Sequence, residues 1–106
     1  KLKKQLKKDL NQIDDRLPIV FEALKDKTRF KLVSILLSTK QDICVSEFAE
    51  LLKISVPAVS QQLKLLERSG IVCAEKHGQT VCYKIASNDK QSKSIITVVK
   101  RFLNFS

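Results

Sequence analysis

Three short, uncharged polar side chains, Ser60, Gln61 and Gln62, stand side by side within SVPAVSQQLKLLERSGIV, the run from Ser55 to Val72. Val59, Leu63 and Leu66 recur through the same run at helical spacing and would seat a helix on a core. The opposite face is then polar yet almost free of charge, whereas solvated helix faces usually carry Lys and Glu. Short donors and acceptors suit a face that lies close against another polar surface. Base edges in a DNA major groove are such a surface: Gln bonds adenine through two atoms, Ser serves a base or a phosphate, and Val56 or Ala58 can meet a thymine methyl. Ser55, just ahead of Pro57, reads as an N-cap whose free backbone N–H groups could receive a phosphate, and Lys64 continues the face. The plainer alternative is an amphipathic helix whose outer face happens to be Ser and Gln. The hairpin that follows argues against it.

That hairpin is IVCAEKHGQTVCYKI, two β-rich runs around a turn, and its tip offers Lys76, His77, Gln79 and Thr80 to phosphates or a minor groove. Centring the turn on His77-Gly78 pairs Lys76 with Gln79 and, counting outward, Cys73 with Cys82 as a non-hydrogen-bonded pair, where side chains are closest. Val72, Ala74, Val81 and Tyr83 then face the core. A Cys73–Cys82 redox pair would be a thiol switch in the hairpin; the alternative is two small hydrophobes filling a sheet. Cys44 reads as a core residue ahead of a helix.

Other chemistry is scarce. Three cysteines without close spacing make no disulfide scaffold, and Cys44, Cys73, Cys82 and His77 are too dispersed for the three or four ligands of a zinc site, so no metal is expected. Gly70 and Gly78 are the only glycines, which excludes a phosphate-cradling loop or a dinucleotide fingerprint and leaves no cofactor to expect. A hydrolytic triad would have to use His77, the single histidine, so no enzymatic activity is expected.

The elements that must position these residues follow from periodicity. Leu2, Leu6, Leu10, Ile13 and Leu17 mark a first helix over about 1–17, and Pro18 can open a second. Asp26 caps KTRFKLVSILLS, too apolar for a surface helix. ICV reads as a short strand, and Ser46 as the N-cap of EFAELLK. The tight link KIS leads into the Ser55 helix, which stops at Gly70. Two short helices joined this way form a helix-turn-helix, with a reading head over 46–69 and a wing over 71–85. Ile95, Val98, Val99, Phe102 and Leu103 place a last helix over about 92–105. The fold class is mostly α with a β-hairpin wing: a single winged helix-turn-helix domain over 1–106, with an extra helix at each end.

Twenty Lys and Arg against eleven Asp and Glu give a net +9, which favours an anionic partner such as double-stranded DNA. Residues 1–10 alone hold five lysines and one aspartate, whereas Ile43–Ala86 nets only +1. Arg29 and the N-terminal lysines are placed to contact phosphates or steer toward them. No apolar run is long enough to span a bilayer, so no membrane partner is expected. The basic start lacks a signal-like apolar core, which makes a reducing cytoplasm the expected location. The chain opens at Lys1 without a methionine, which leaves open whether a short leader or tag precedes it.

ALKDKTRFKLVSILL, ICVSEFAELLKISVPAVSQQLKLLERSGIV and EKHGQTVCYKI together resemble the opening, the helix-turn-helix signature and the wing of the ArsR-type (ArsR/SmtB) bacterial winged-helix repressors. The resemblance spans about Phe21 to Ile85. It implies a homodimer on a palindromic operator, released by an effector. The dimer would be built from the first and last helices, with Leu2, Leu6, Leu10 and Ile13 and the face of Ile95, Val98, Val99, Phe102 and Leu103 at the interface. The family's Cys-Val-Cys metal motif is here Cys44-Val45-Ser46, one thiol short, and residues 90–106 lack the histidines and carboxylates of its C-terminal zinc site. Many members carry Gln where this chain has Val56 and His where it has Gln62. Two other readings use the same residues: a winged helix that docks proteins without operator specificity, and a metal-responsive repressor using Cys44.

Overall fold

The computed structural model describes residues 1–13, 15–39, 41–86 and 90–103, with the side chains of 90–92, 95, 102 and 103 outside that description. The chain runs α1 (Leu2–Asn11), α2 (Arg16–Leu24), α3 (Lys27–Leu37), β1 (Ile43–Cys44), α4 (Val45–Leu52), α5 (Val56–Ser69), β2 (Val72–His77), β3 (Thr80–Ile85) and α6 (Lys90–Leu103). This is the expected mostly helical fold with a hairpin wing. The first helix is shorter than the 1–17 expected: α1 ends at Asn11, and α2 takes over with Pro18 in its first turn, where a missing N–H costs nothing.

Local chemistry accounts for the other boundaries. Asp26 accepts the Arg29 N–H at 3.0 Å to start α3, and Ser55 accepts the Ala58 N–H at 3.2 Å to start α5. The cap of α4 is Cys44 rather than Ser46, because the Glu47 carboxylate reaches back to the Cys44 N–H at 2.9 Å. Between α4 and α5 the chain turns through Lys53, in the left-handed region at φ 57°, then Ile54 and Ser55. Gly70 stops α5 at φ 87°, a conformation that favours glycine.

The core is carried by α3, α4 and α5, where Leu32, Phe48, Val59, Leu63 and Leu66 are fully buried; Val72 and Tyr83 bring the inner face of the hairpin onto it. Ala74, expected on that inner face, is exposed on the outer strand β2, whereas Val81 on the central strand β3 packs against the core. α1 buries none of its residues, and the molecule is correspondingly long, 57 × 29 × 22 Å with a radius of gyration of 16.0 Å. A compact 100-residue domain would have a radius of about 13 Å. No described helix is long and apolar enough to cross a membrane.

The three strands form an antiparallel sheet in the order β1-β3-β2. Its register corrects the expected Cys73–Cys82 pair. The hairpin turn is centred on Gly78-Gln79, one residue later than expected, and His77 pairs with Thr80. Gly78 supplies the positive φ, 66°, that a tight hairpin needs at its first central position, and that choice moves every pairing along. Cys73 therefore faces Lys84, and Glu75 faces Cys82. On its other side β3 pairs with β1, so Cys44 lies opposite Cys82, and these two cysteines form a disulfide. Cys73 is the free, half-buried thiol.

Candidate nucleic-acid interface

The polar face of α5 and the wing enclose one groove of about 480 Å³, lined by Val45, Ser46, Val56, Ser60, Lys64, Gln79, Thr80, Val81 and Tyr83. Five residues singled out from the sequence thus meet in one place: Val56, Ser60 and Lys64 from the helix, Gln79 and Thr80 from the wing. Val45 and Ser46, at the start of α4, complete the floor; a two-residue strand and a helix start gave no signal that they would lie there. Ser55 caps the start of α5, with Val56, Gln61 and Lys64 exposed and Ala58 and Ser60 half-buried. Lys76 is exposed and pairs with Val81, so it belongs to the groove side of the hairpin.

Three expected contacts are arranged differently. The Arg29 guanidinium donates from Nε to the Ala23 carbonyl at 2.7 Å and from Nη1 to Gln62 Oε1 at 2.9 Å. Arg29 is therefore a brace between the end of α2 and the middle of α5, not a side chain free to steer toward phosphate. One guanidinium fork fits both acceptors at once, so the Gln62 amide oxygen has a partner within the chain. His77 turns away from the groove to the outer face of the wing, with Nε2 3.3 Å from Asp42 Oδ2 and 3.7 Å from Glu75 Oε2. A proton shared with the neighbouring Glu75 carboxyl and, after that, the adjacent His77 hold the Asp42 carboxyl below its ordinary value. Lys84 bonds the remaining Glu75 oxygen at 3.1 Å.

The expected dimer face divides. Leu2, Leu6, Leu10 and Ile13 are exposed, Leu2 by 72% and Leu10 by 64%, and so is Val98 on α6. Val99 instead packs against the chain's own core. The side chains of Ile95, Phe102 and Leu103 lie outside the described residues. Ile19 and Phe21 on α2 are also exposed apolar groups, which the sequence pattern alone did not distinguish from their buried neighbours Val20, Ala23 and Leu24.

Comparison with known proteins agrees with this architecture. The family model for bacterial regulatory proteins of the arsR family matches residues 26–73, from the cap of α3 into β2. A solved ArsR-like transcriptional regulator from Rhodococcus is 30% identical, with 82% of this chain and 76% of that chain covered and a TM-score of 0.61. The chain belongs to the ArsR family. Among the other solved structures it resembles, reduced HlyU from Vibrio cholerae is 26% identical over 92% of this chain and 95% of its own, with a TM-score of 0.70. An arsenic resistance transcriptional regulator from Pseudomonas putida is 35% identical over 68 residues, 64% of this chain and 52% of that protein. The chain spans about half the length of the first curated relatives it matches. Cys44, at the start of the Cys44-Val45-Ser46 segment, is bound to Cys82.

Proposed function

We propose that this ArsR-family chain is a DNA-binding transcriptional repressor that acts in the cytoplasm as a homodimer on a palindromic operator, without enzymatic activity. The observation that carries the reading is the groove between α5 and the wing: uncharged Ser60 and apolar Val56 stand beside Lys64, Gln79 and Thr80. Seating α5 in a major groove brings Val56, Ala58, Ser60 and Gln61 to base edges. Ser55 and the first N–H groups of α5 then meet the backbone with the wing residues Lys76, Gln79 and Thr80 alongside. Dimerisation accounts for α1, whose leucines have no cover within one chain. A second α1 covers them and places two reading helices across a two-fold axis.

The disulfide supplies the regulatory part of the proposal. Cys44 caps the first helix of the reading pair and Cys82 lies in the wing, so the bond sets the one against the other. Cytoplasmic disulfides form conditionally. Oxidation takes two electrons and two protons from the Cys44 and Cys82 thiols, making the S–S bond as hydrogen peroxide is reduced to two waters. The relative named as reduced HlyU accords with redox behaviour within this fold.

The test is fluorescence anisotropy of a labelled duplex from upstream of the chain's own gene, against a scrambled duplex. It is run on oxidised and reduced protein at two salt concentrations. The expected result is selective binding that weakens steeply with salt and differs between the redox forms. Equal selective binding in both forms would remove the switch and keep the repressor. No selectivity in either form, across several upstream regions, would replace operator binding with protein docking.

A further inference from the structure

The outer face of the wing gathers ligand chemistry that operator binding does not use. β2 presents Glu75 and His77 at i and i+2, hence on one side of the strand, and the loop before β1 brings Asp42 against them. One ligand atom from each of the three lies within 4.8 Å of the other two. Two of the separations involve His77 Nε2, 3.3 Å to Asp42 Oδ2 and 3.7 Å to Glu75 Oε2. A tetrahedral ion with bonds of 2.0–2.1 Å holds its ligand atoms about 3.3 Å apart, so small side-chain rotations bring all three onto one centre.

We propose that Asp42, Glu75 and His77 form a binding site for a divalent first-row transition ion of the zinc class. One imidazole with two carboxylates suits such an ion, whereas calcium and magnesium prefer all-oxygen sets. The side chains are partly open to solvent, 29% for Asp42, 43% for Glu75 and 56% for His77, which leaves room for water as a fourth ligand. Glu75 divides its oxygens: Oε1 accepts from Lys84, while Oε2 faces His77. Lys84 therefore balances part of the negative charge and competes mildly with a metal for Glu75. The three ligands use neither Cys44 nor any α6 residue, although Asp42 and Lys84 also line a cavity against Lys93, Thr97 and Lys100 of α6. It joins two segments that also meet at the disulfide, since Asp42 lies two residues before Cys44 and Glu75 lies opposite Cys82. An ion there would add a second clasp between the wing and the start of the reading pair.

The experiment is a calorimetric zinc titration of untagged protein with the Cys44–Cys82 bond intact, alongside cobalt absorption in a Cys73→Ser background. The expected result is one saturable ion per chain and a cobalt spectrum without an intense sulfur-to-metal band. His77→Gln or Asp42→Asn should weaken binding by about tenfold or more. Lys84→Ala, which removes no ligand, should tighten it by freeing Glu75. Absence of saturable binding would overturn the site, and so would zinc affinity unchanged in both His77→Gln and Asp42→Asn. A Lys84→Ala variant that binds no tighter would remove the role given to Glu75 and overturn the three-ligand site.

Discussion

The reading pair and the wing are built on different physics. In α4 and α5 the seating side chains Phe48, Val59, Leu63 and Leu66 are fully buried, and Arg29 clamps α5 from behind. The wing is a hairpin with one face on the core through Val72 and Tyr83. Its other face carries Cys73, Glu75, His77, Cys82 and Lys84, tied back by the Cys44–Cys82 bond. One region is held by packing and offers little reactive chemistry. The other is held partly by a bond that can be broken, and it contains the single histidine and two of the three cysteines. Placing reactive groups on the less buried element lets their state change without unseating the helix that would read DNA.

Reduction should test that contrast most strongly. The disulfide spans 38 residues, and removing a constraint of that length costs up to about 4 kcal/mol in the chain-entropy account. Urea unfolding of oxidised and reduced protein should show the lower midpoint for the reduced form. Amide exchange should quicken in β2 and β3 before it quickens in α5. Equal midpoints would mean that packing holds the wing as it holds the head.

The head should fail through its core instead. Leu63→Ala removes a fully buried side chain beneath the polar face and should cost about 3 kcal/mol. Its effect on the urea midpoint should be similar in oxidised and reduced protein, since the core cluster that holds Leu63 contains no cysteine among the described residues. A loss that depended on redox state would show the two regions to be coupled through the core.

Much of this architecture was legible because the signals were local. Ser55, Pro57, the Val59-Leu63-Leu66 stripe and Gly70 each act within a few residues, and together they delimit α5. The disulfide was hidden for a physical reason: β1 has only two residues, too few to show a period, and its partner strand lies 38 residues away. The choice between His-Gly and Gly-Gln as the turn centre rested on where the positive φ falls, and one residue of error exchanged Lys84 for Cys82 opposite Cys73. Arg29 looked like a free cation because its acceptors, a carbonyl at the end of α2 and an amide 33 residues on, are brought to it by tertiary packing. Asp42 escaped attention in a polar loop, where a lone carboxylate has no pattern.

Arg29→Ala would remove the brace behind the reading helix. Two hydrogen bonds from a charged donor are lost and two part-buried acceptors are left to find water, at an expected cost of about 2 kcal/mol in urea unfolding. Arg29→Lys should recover little of it, because an ammonium on a flexible stem cannot reproduce the planar fork. Full recovery by Lys would return Arg29 to the role of a simple positive charge.

The smallest effect on stability belongs to the cap of α5, and it separates folding from reading. Ser55→Ala removes the acceptor for the Ala58 N–H and should cost about 1 kcal/mol, since one N–H at an exposed helix start is handed to water. Ser55→Asp keeps that acceptor and adds a negative charge where the helix dipole welcomes it, so the unfolding midpoint should return to that of the parent chain or pass it. On DNA the same carboxylate would stand where a phosphate must approach, and anisotropy should show operator affinity falling below that of Ser55→Ala. Stability and binding then move in opposite directions at one residue, which a purely structural cap would not produce. If Ser55→Asp restored stability and operator affinity together, the start of α5 would lie away from the backbone, and the groove-facing part of the helix would have to begin further along, at Ser60.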